Sequence, residues 1–256
     1  MSQKVIYEQP LNERIRAFLR LEFLFQQVRH HLAGSSPWDS RASLASLLDI
    51  MNIFGRSDLK SEVMKELERH TANLARLEQN PDVDRAQLSE LLDEMDTLID
   101  QLHAHNGPVG AHLKTNEFLS AIQQRSSIPG GLCDFDLPAF HFWLERPNEE
   151  RMRDLAQWLD SFDVIGRGIM LILKLTRGSN LFHDHVAEGG FYQRTLDPNV
   201  PCQMVRVAIP ANSLYFAEIS GGRHRFSVRF LRQPSTSERA VQSTENVPFE
   251  LSCCVI

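Results

Sequence analysis

Residues 223–230 have the sequence RHRFSVRF, in which apolar and polar side chains alternate with a period of two. Successive side chains of a β-strand point to opposite faces of its sheet. The apolar side chains of Phe226, Val228 and Phe230 are therefore predicted to face a core. The polar side chains on the opposite face belong to Arg223, Arg225, Ser227 and Arg229. This stretch predicts a half-buried strand with one basic face.

The sequence on both sides of this strand predicts further strands of an antiparallel region. The other predicted strands are residues 190–195, 204–209, 214–219 and 248–255. Turn-forming residues separate them, as in Asp197-Pro198-Asn199 and Ser220-Gly221-Gly222. Arg206 lies between Val205 and Val207, and we expect it to share the polar face. Residues 234–244, rich in Ser, Thr and Gln, are predicted to form a mobile loop.

The first two-thirds of the chain is predicted to be helical. Apolar residues recur every three or four positions from Leu11 to Leu32, as on one face of an α-helix. Two further apolar stripes, at 59–77 and 88–102, predict an antiparallel coiled-coil-like helical hairpin. A long helix is predicted over 148–175, with a bend at Gly166 or Gly168.

These patterns predict an α+β fold with two domains. We expect a mostly helical N-terminal domain over residues 1–185 and a small antiparallel β domain over residues 186–256. The segment 126–147 mixes turn residues with apolar residues, and we expect it to pack near the β domain.

Composition favours a globular protein of the cytoplasm. The 256 residues are 42% hydrophobic and 23% charged, which is ordinary globular usage. No apolar run approaches the ~18 residues needed to span a bilayer, and the N-terminus lacks the apolar core of a signal peptide. We therefore expect no membrane partner, and four free, mostly buried cysteines in a reducing compartment.

The charge distribution favours an acidic partner for the basic face. The chain carries a formal charge of −6, but residues 200–233 contain five arginines and one acid. Guanidinium groups bind carboxylates through two parallel hydrogen bonds. The arginine-bearing face therefore predicts a binding site for a carboxylate-bearing segment, although an ordinary solvated sheet face is the simpler alternative.

Two other functional classes remain as alternatives. A nucleic-acid-binding module would use the same arginines, but the pI near 5.9 and the lack of stacking aromatics on that face argue against it, so we expect no nucleic-acid partner. An enzyme of unknown chemistry would use the segment His183-Asp184-His185, which lacks the Cys or Glu partners of a usual metal site. We expect no catalytic residue, no metal and no cofactor.

Several longer motifs resemble those of one family over nearly the whole chain. They are YEQPLNER at 7–14, RLEFL at 20–24, SIPGG at 127–131 with Cys133, FDLP at 135–138 with His141, GFYQ at 190–193, ISG at 219–221, Arg225-Phe226, Arg229-Phe230 and Cys253-Cys254. This set, in this order, resembles the ZapD family of bacterial cell division proteins. The turn at 222–224 and the extra Val255-Ile256 depart from the family pattern.

The resemblance implies a homodimeric adaptor that is not an enzyme. It implies binding to the C-terminal tail of FtsZ, the tubulin-like GTPase of the division ring, and bundling of FtsZ filaments at mid-cell. Such bundling would promote assembly of the Z-ring and of the division septum. The expected partner-binding residues are Arg225 and Arg229, helped by Arg206 and Arg223, with Arg16, Arg56 and His141 added because they lie on stretches that match the family.

Overall fold

A computed structural model describes residues 3–55 and 58–255, apart from the side chain of Glu78. The predicted α+β class is confirmed. The described chain divides into two compact units. Residues 3–17 and 173–255 form one, called the β unit below, and residues 18–172 form the other, called the helical unit.

Eight α-helices are present in the described residues. They are α1 (Glu13–Leu32), α2 (Pro37–Phe54), α3 (Leu59–Ala75), α4 (Arg85–Ala104), α5 (Glu117–Ser126), α6 (Pro138–Leu144), α7 (Asn148–Asp160) and α8 (Asp163–Gly178), with short 3₁₀ turns at Arg76–Gln79 and Ala111–Thr115. Side chains cap several N-termini: Ser36 and Asp39 form a capping box at α2, and Asp58 and Asp84 cap α3 and α4. None of these helices is long and apolar enough to cross a membrane.

The strands form two antiparallel sheets in the β unit. They are β1 (Lys4–Pro10), β2 (His183–Ala187), β3 (Phe191–Thr195), β4 (Cys202–Pro210), β5 (Phe216–Gly221), β6 (Arg225–Arg232), β7 (Val241–Gln242) and β8 (Val247–Val255). The first sheet has the order β1-β4-β8-β2, and the second has the order β3-β6-β5, with β7 also paired to β6.

The core of the β unit lies between the two sheets. Val205 and Val207 of β4 and Phe249 of β8 belong to the same buried cluster as Phe226 and Phe230 of β6. The rings of Phe230 and Phe249 have their centroids 5.0 Å apart. The predicted inward orientation of Phe226, Val228 and Phe230 is confirmed, because all three are at most 1% exposed.

The predicted helical hairpin is confirmed in the helical unit, where α3 packs against α4. The side chains that it buries are Leu59, Val63 and Leu67 on α3 and Leu88, Met95, Leu98 and Leu102 on α4. They follow the spacing of three and four that places residues on one helix face.

The predicted single helix over 148–175 is wrong. Helix α7 ends at Asp160 and helix α8 begins at Asp163, and the side chain of Phe162 between them is buried. Gly166 and Gly168 lie within α8 and permit close packing: a Cβ atom would lie 3.3 Å from the Phe25 ring at Gly166 and 3.1 Å from Val63 at Gly168.

Three strands were missing from the sequence prediction. Strand β1 pairs with β4 along its whole length, and β2 pairs with β8. In β1 the neighbouring side chains of Val5 and Ile6 are both partly exposed, so the alternation that identifies a half-buried strand is absent. The two-residue strand β7 lies within the segment predicted to be a mobile loop.

Candidate partner-binding face of the second sheet

The second sheet presents one face away from the core, called the outer face below. Cross-strand register defines it, since residues directly opposite each other in an antiparallel pair point to the same side. Arg225 lies opposite Thr195, and Arg229 lies opposite both Phe191 and Glu218. The outer face comprises Phe191, Gln193, Thr195, Phe216, Glu218, Ser220, Arg225, Ser227, Arg229 and Leu231.

Two arginines border a shallow hollow at one end of this face. Arg223, in the turn between β5 and β6, and Arg225 line a cavity of about 450 Å³ together with Gln193, Ser220 and Ser227. Both arginines are exposed, and neither forms an ion pair with any residue that the structure describes. The hollow therefore offers guanidinium and hydroxyl donors to an incoming carboxylate.

Arg229 lies on the same face but has a partner within the chain. Its Nη2 atom is 2.5 Å from Oε2 of Glu218, and the two side chains are 50% and 51% exposed. An exposed ion pair contributes only ~0.2–1 kcal/mol, so an incoming carboxylate can replace Glu218 at modest cost. Phe191, opposite Arg229 and 42% exposed, adds an apolar contact beside it.

Arg206 does not belong to the outer face, which corrects the expectation from the sequence. It lies on β4, in the first sheet, and its Nε donates a hydrogen bond to Oε1 of Glu8 at 2.9 Å. Arg177 also binds Glu8, with Nη2 to Oε2 at 2.8 Å. The Arg206 side chain is only 14% exposed, so it is committed to a mostly buried ion cluster.

The carboxyl group of Glu8 is held in its charged form by this cluster. Burial by itself would raise the pKa of Glu8, but the hydrogen bonds and positive charges of Arg177 and Arg206 outweigh it and lower the pKa below its usual 4.5. The cluster therefore stabilises the β unit above the pH at which Glu8 is protonated.

The other three predicted residues, Arg16, His141 and Arg56, do not lie on the strands of the second sheet. Arg16 lies on α1 and forms an ion pair with Glu13 at 3.3 Å. His141 is exposed on α6 of the helical unit. Arg56 lies outside the described residues. Of the seven predicted residues, the structure brings together Arg223, Arg225 and Arg229.

The segment His183-Asp184-His185 forms strand β2 and has packing partners. The His185 ring packs against the rings of Tyr192 and Phe249, and its centroid lies 5.2 and 5.9 Å from theirs. Burial lowers the pKa of His185, and the positive charge of Arg194 lowers it further. Across residues 3–55 and 58–255, no group of three or more His, Cys, Asp or Glu side chains could hold a metal ion.

Sequence reasoning missed Glu218 and Phe191, which flank Arg229 on either side. Both lie on predicted strands, but their position depends on which strands pair and in which register. The motif GFYQ at 190–193, which contains Phe191, was the local signal that could have pointed to this face.

The chain is similar to proteins of one family along its whole length. A family model described as "ZapD: Cell division protein" matches residues 19–229. A "Cell division protein ZapD" from Methylococcus capsulatus is 45% identical over 256 residues, covering 100% of both chains. Proteins of the same name from Coxiella burnetii and Aromatoleum aromaticum are 36% and 38% identical over 253 and 254 residues, covering at least 98% of each chain.

Proposed function

The chain belongs to the ZapD family of cell division proteins, and from that premise we propose that it is a non-catalytic adaptor for the C-terminal tail of FtsZ. The observation that carries the proposal is the hollow on the outer face, where the unpaired guanidinium groups of Arg223 and Arg225 converge within the described structure.

Recognition would combine charge with apolar contact. Acidic groups of the tail would bind Arg223 and Arg225 and would replace Glu218 at Arg229. Apolar side chains of the tail would pack on Phe191, Phe216 and Leu231 of the same face. An exposed ion pair contributes ~0.2–1 kcal/mol, whereas a pair desolvated by neighbouring apolar contacts can cost ~2–5 kcal/mol to break.

Bundling of FtsZ filaments would follow if the protein forms a homodimer in the cytoplasm. Two copies present two equivalent outer faces, and each can hold the tail of a different FtsZ filament. Tethering through two sites raises the effective affinity without any new contact. The protein would then cross-link filaments at the mid-cell ring and promote septum formation.

The double variant Arg225→Glu, Arg229→Glu tests this proposal. We expect it to abolish FtsZ filament bundling in a light-scattering assay, because both replacements repel an acidic tail. Helicity should stay unchanged, and the melting temperature should fall only slightly, since both side chains are exposed and the new carboxylate at position 229 would lie opposite Glu218.

Arg167→Glu is the matched control. Arg167 is 48% exposed and pairs with Asp163 at 3.0 Å, as Arg229 pairs with Glu218, but it lies on α8 in the helical unit. This variant should still bundle filaments. Normal bundling by the double variant would show that the outer face is not the binding site.

A further inference from the structure

Two cysteine thiols meet where strands β4 and β8 end. Cys202 begins β4, and Cys253 lies near the end of β8. The pairing skips one residue here, because Cys202 lies opposite Val255 whereas Met204 lies opposite Cys254. This bulge turns both thiols to the same face, where they pack against the edge of the core.

A guanidinium group completes the cluster. Nη1 of Arg194, on β3, lies 3.9 Å from Sγ of Cys253. The Cys202 thiol is also hydrogen-bonded to the Met204 carbonyl, at 3.5 Å. The positive charge of Arg194 beside Cys253 favours a thiolate at Cys253.

The two thiols differ in pKa, in the direction that this geometry favours. The hydrogen bond from Cys202 lowers the pKa of Cys253 to about 7, and the charge of Arg194 contributes to the shift. The same hydrogen bond, together with burial, raises the pKa of Cys202. The two cysteines are therefore suited to different roles.

We propose that Cys253 and Cys202 form a dithiol site that reacts with hydroperoxides, with Cys253 as the attacking thiol and Cys202 as the resolving thiol. Both side chains are partly exposed, so a small oxidant can reach them. The two thiols lie on strands of the first sheet, whereas the outer face belongs to the second sheet, and the site does not depend on the proposed function.

The reaction needs no oxidant other than the hydroperoxide. The Cys253 thiolate attacks one peroxide oxygen: an S–O bond forms, the O–O bond breaks, and hydroxide (or alkoxide) leaves and takes up a proton. The Cys202 sulfur then attacks the resulting sulfenic acid. An S–S bond forms, the S–O bond breaks, and the hydroxyl leaves as water with the thiol proton. Two thiols lose two electrons, and the peroxide gains them.

The other two cysteines differ in their surroundings. Cys254 points to the opposite face of β8, is buried and lies 3.8 Å from the hydroxyl of Ser252. Burial raises its pKa. Cys133 is exposed in the helical unit and serves as an internal reference thiol.

The experiment treats the reduced full-length chain with hydrogen peroxide at pH 7 and maps the products by mass spectrometry. We expect the chain to lose the mass of two hydrogens and a disulfide to join the peptides that contain Cys202 and Cys253. A thiol with a pKa near 7 is about half ionised, against ~3% for an ordinary cysteine. Its lower nucleophilicity reduces that advantage, so Cys253 should react roughly threefold faster than Cys133.

Two variants separate the steps. Cys202→Ser should accumulate a sulfenic acid at Cys253 that dimedone traps, because the resolving thiol is gone. Arg194→Gln should lower the rate of Cys253 oxidation toward that of Cys133. The proposal is overturned if Cys133 reacts as fast as Cys253 in the unaltered chain, if the link joins Cys253 to Cys254, or if dimedone labels nothing at Cys253 in folded Cys202→Ser.

Discussion

Glu218 is the acidic residue of the outer face and, under the proposed function, would oppose binding of an acidic segment. It lies directly opposite Arg229 on the neighbouring strand and occupies the guanidinium that the proposed tail would need. Both side chains are half exposed, so the pair is a surface pair and its contribution to stability is small. In the proposed complex, Glu218 would compete with the tail for Arg229.

Glu218→Gln should therefore strengthen binding of the FtsZ tail. Release of Arg229 from a pair of ~0.2–1 kcal/mol corresponds to a gain in affinity of about 1.4- to 5-fold. Fluorescence anisotropy of a labelled tail peptide would measure it. Glu238→Gln removes the same charge from an exposed position beyond β6 and should leave the affinity nearly unchanged. Weaker binding by Glu218→Gln would contradict the assignment of Arg229.

Glu8, unlike Glu218, forms mostly buried ion pairs, with Arg177 and Arg206, and we expect these pairs to stabilise the fold. We expect Glu8→Gln to lower the free energy of unfolding by about 2–3 kcal/mol at neutral pH. This is less than the ~3–5 kcal/mol for a broken, fully buried pair, because a fifth of the Glu8 side chain is exposed. Glu250→Gln, which breaks the more exposed pair with Lys4, should cost at most ~1 kcal/mol.

The stabilisation by Glu8 should also depend on pH. The pKa of Glu8 is lower in the folded state than its value of 4.5 in the unfolded chain. The contribution of Glu8 to the free energy of unfolding is therefore fully present above pH 4.5, and it is lost as the pH falls through the pKa of the folded state. The stability difference between the unaltered chain and Glu8→Gln should therefore narrow below about pH 4.5 in denaturant titrations. A difference that stays constant down to pH 3 would contradict this account.

At the scale of elements, strand β6 shows what local sequence determines. Its alternation correctly predicted which side chains are buried, because the pleat of a strand depends only on neighbouring residues. The sequence of β4 has a similar pattern around Arg206, and the same reasoning failed there. The partner of Arg206 is Glu8, 198 positions away, and which sheet a strand joins is decided by such long-range pairing.

The helices show a related limit. The break between α7 and α8 falls at residues that carry no strong helix-breaking signal, whereas Gly166 and Gly168 carry one and remain helical. Phe162 is buried between the two helices, and tertiary packing of this kind overrides local propensity.

A buried arginine on α7 joins three segments of the helical unit. Arg151 donates hydrogen bonds to Oγ of Ser40 at 3.0 Å, to the carbonyl of Leu144 at 3.0 Å, to the carbonyl of Ser35 at 2.9 Å, and to the carbonyl of Arg146. The planar guanidinium fork reaches these acceptors in several directions, which a single ammonium group cannot do.

Arg151→Lys should therefore be destabilising. Buried acceptors left without a donor cost ~1–3 kcal/mol each, and we expect a loss of about 2–4 kcal/mol in the free energy of unfolding by urea titration. Arg153→Lys, on the exposed side of the same helix, should change it by less than ~0.5 kcal/mol. Equal stability of the two variants would contradict the bridging role of Arg151.

For the whole molecule, the outer face is a local exception to the overall charge. The chain carries −6, yet the hollow is bordered by Arg223 and Arg225, with Arg229 on the same face. In the proposed function, attraction of an acidic tail would therefore be a short-range effect of this face and not of net charge. Added salt should weaken it, since the screening length falls from ~10 Å at 0.1 M to ~3 Å at 1 M.

The most direct measurement is a titration of the full-length protein with a labelled FtsZ C-terminal tail peptide, followed by fluorescence anisotropy. We expect the peptide to bind saturably to the unaltered chain and to Arg167→Glu. It should bind at least tenfold more weakly to the double variant Arg225→Glu, Arg229→Glu, which corresponds to a loss of about 1.4 kcal/mol or more in binding free energy. Equal affinity of the double variant and the unaltered chain would contradict the assignment of the outer face as the binding site.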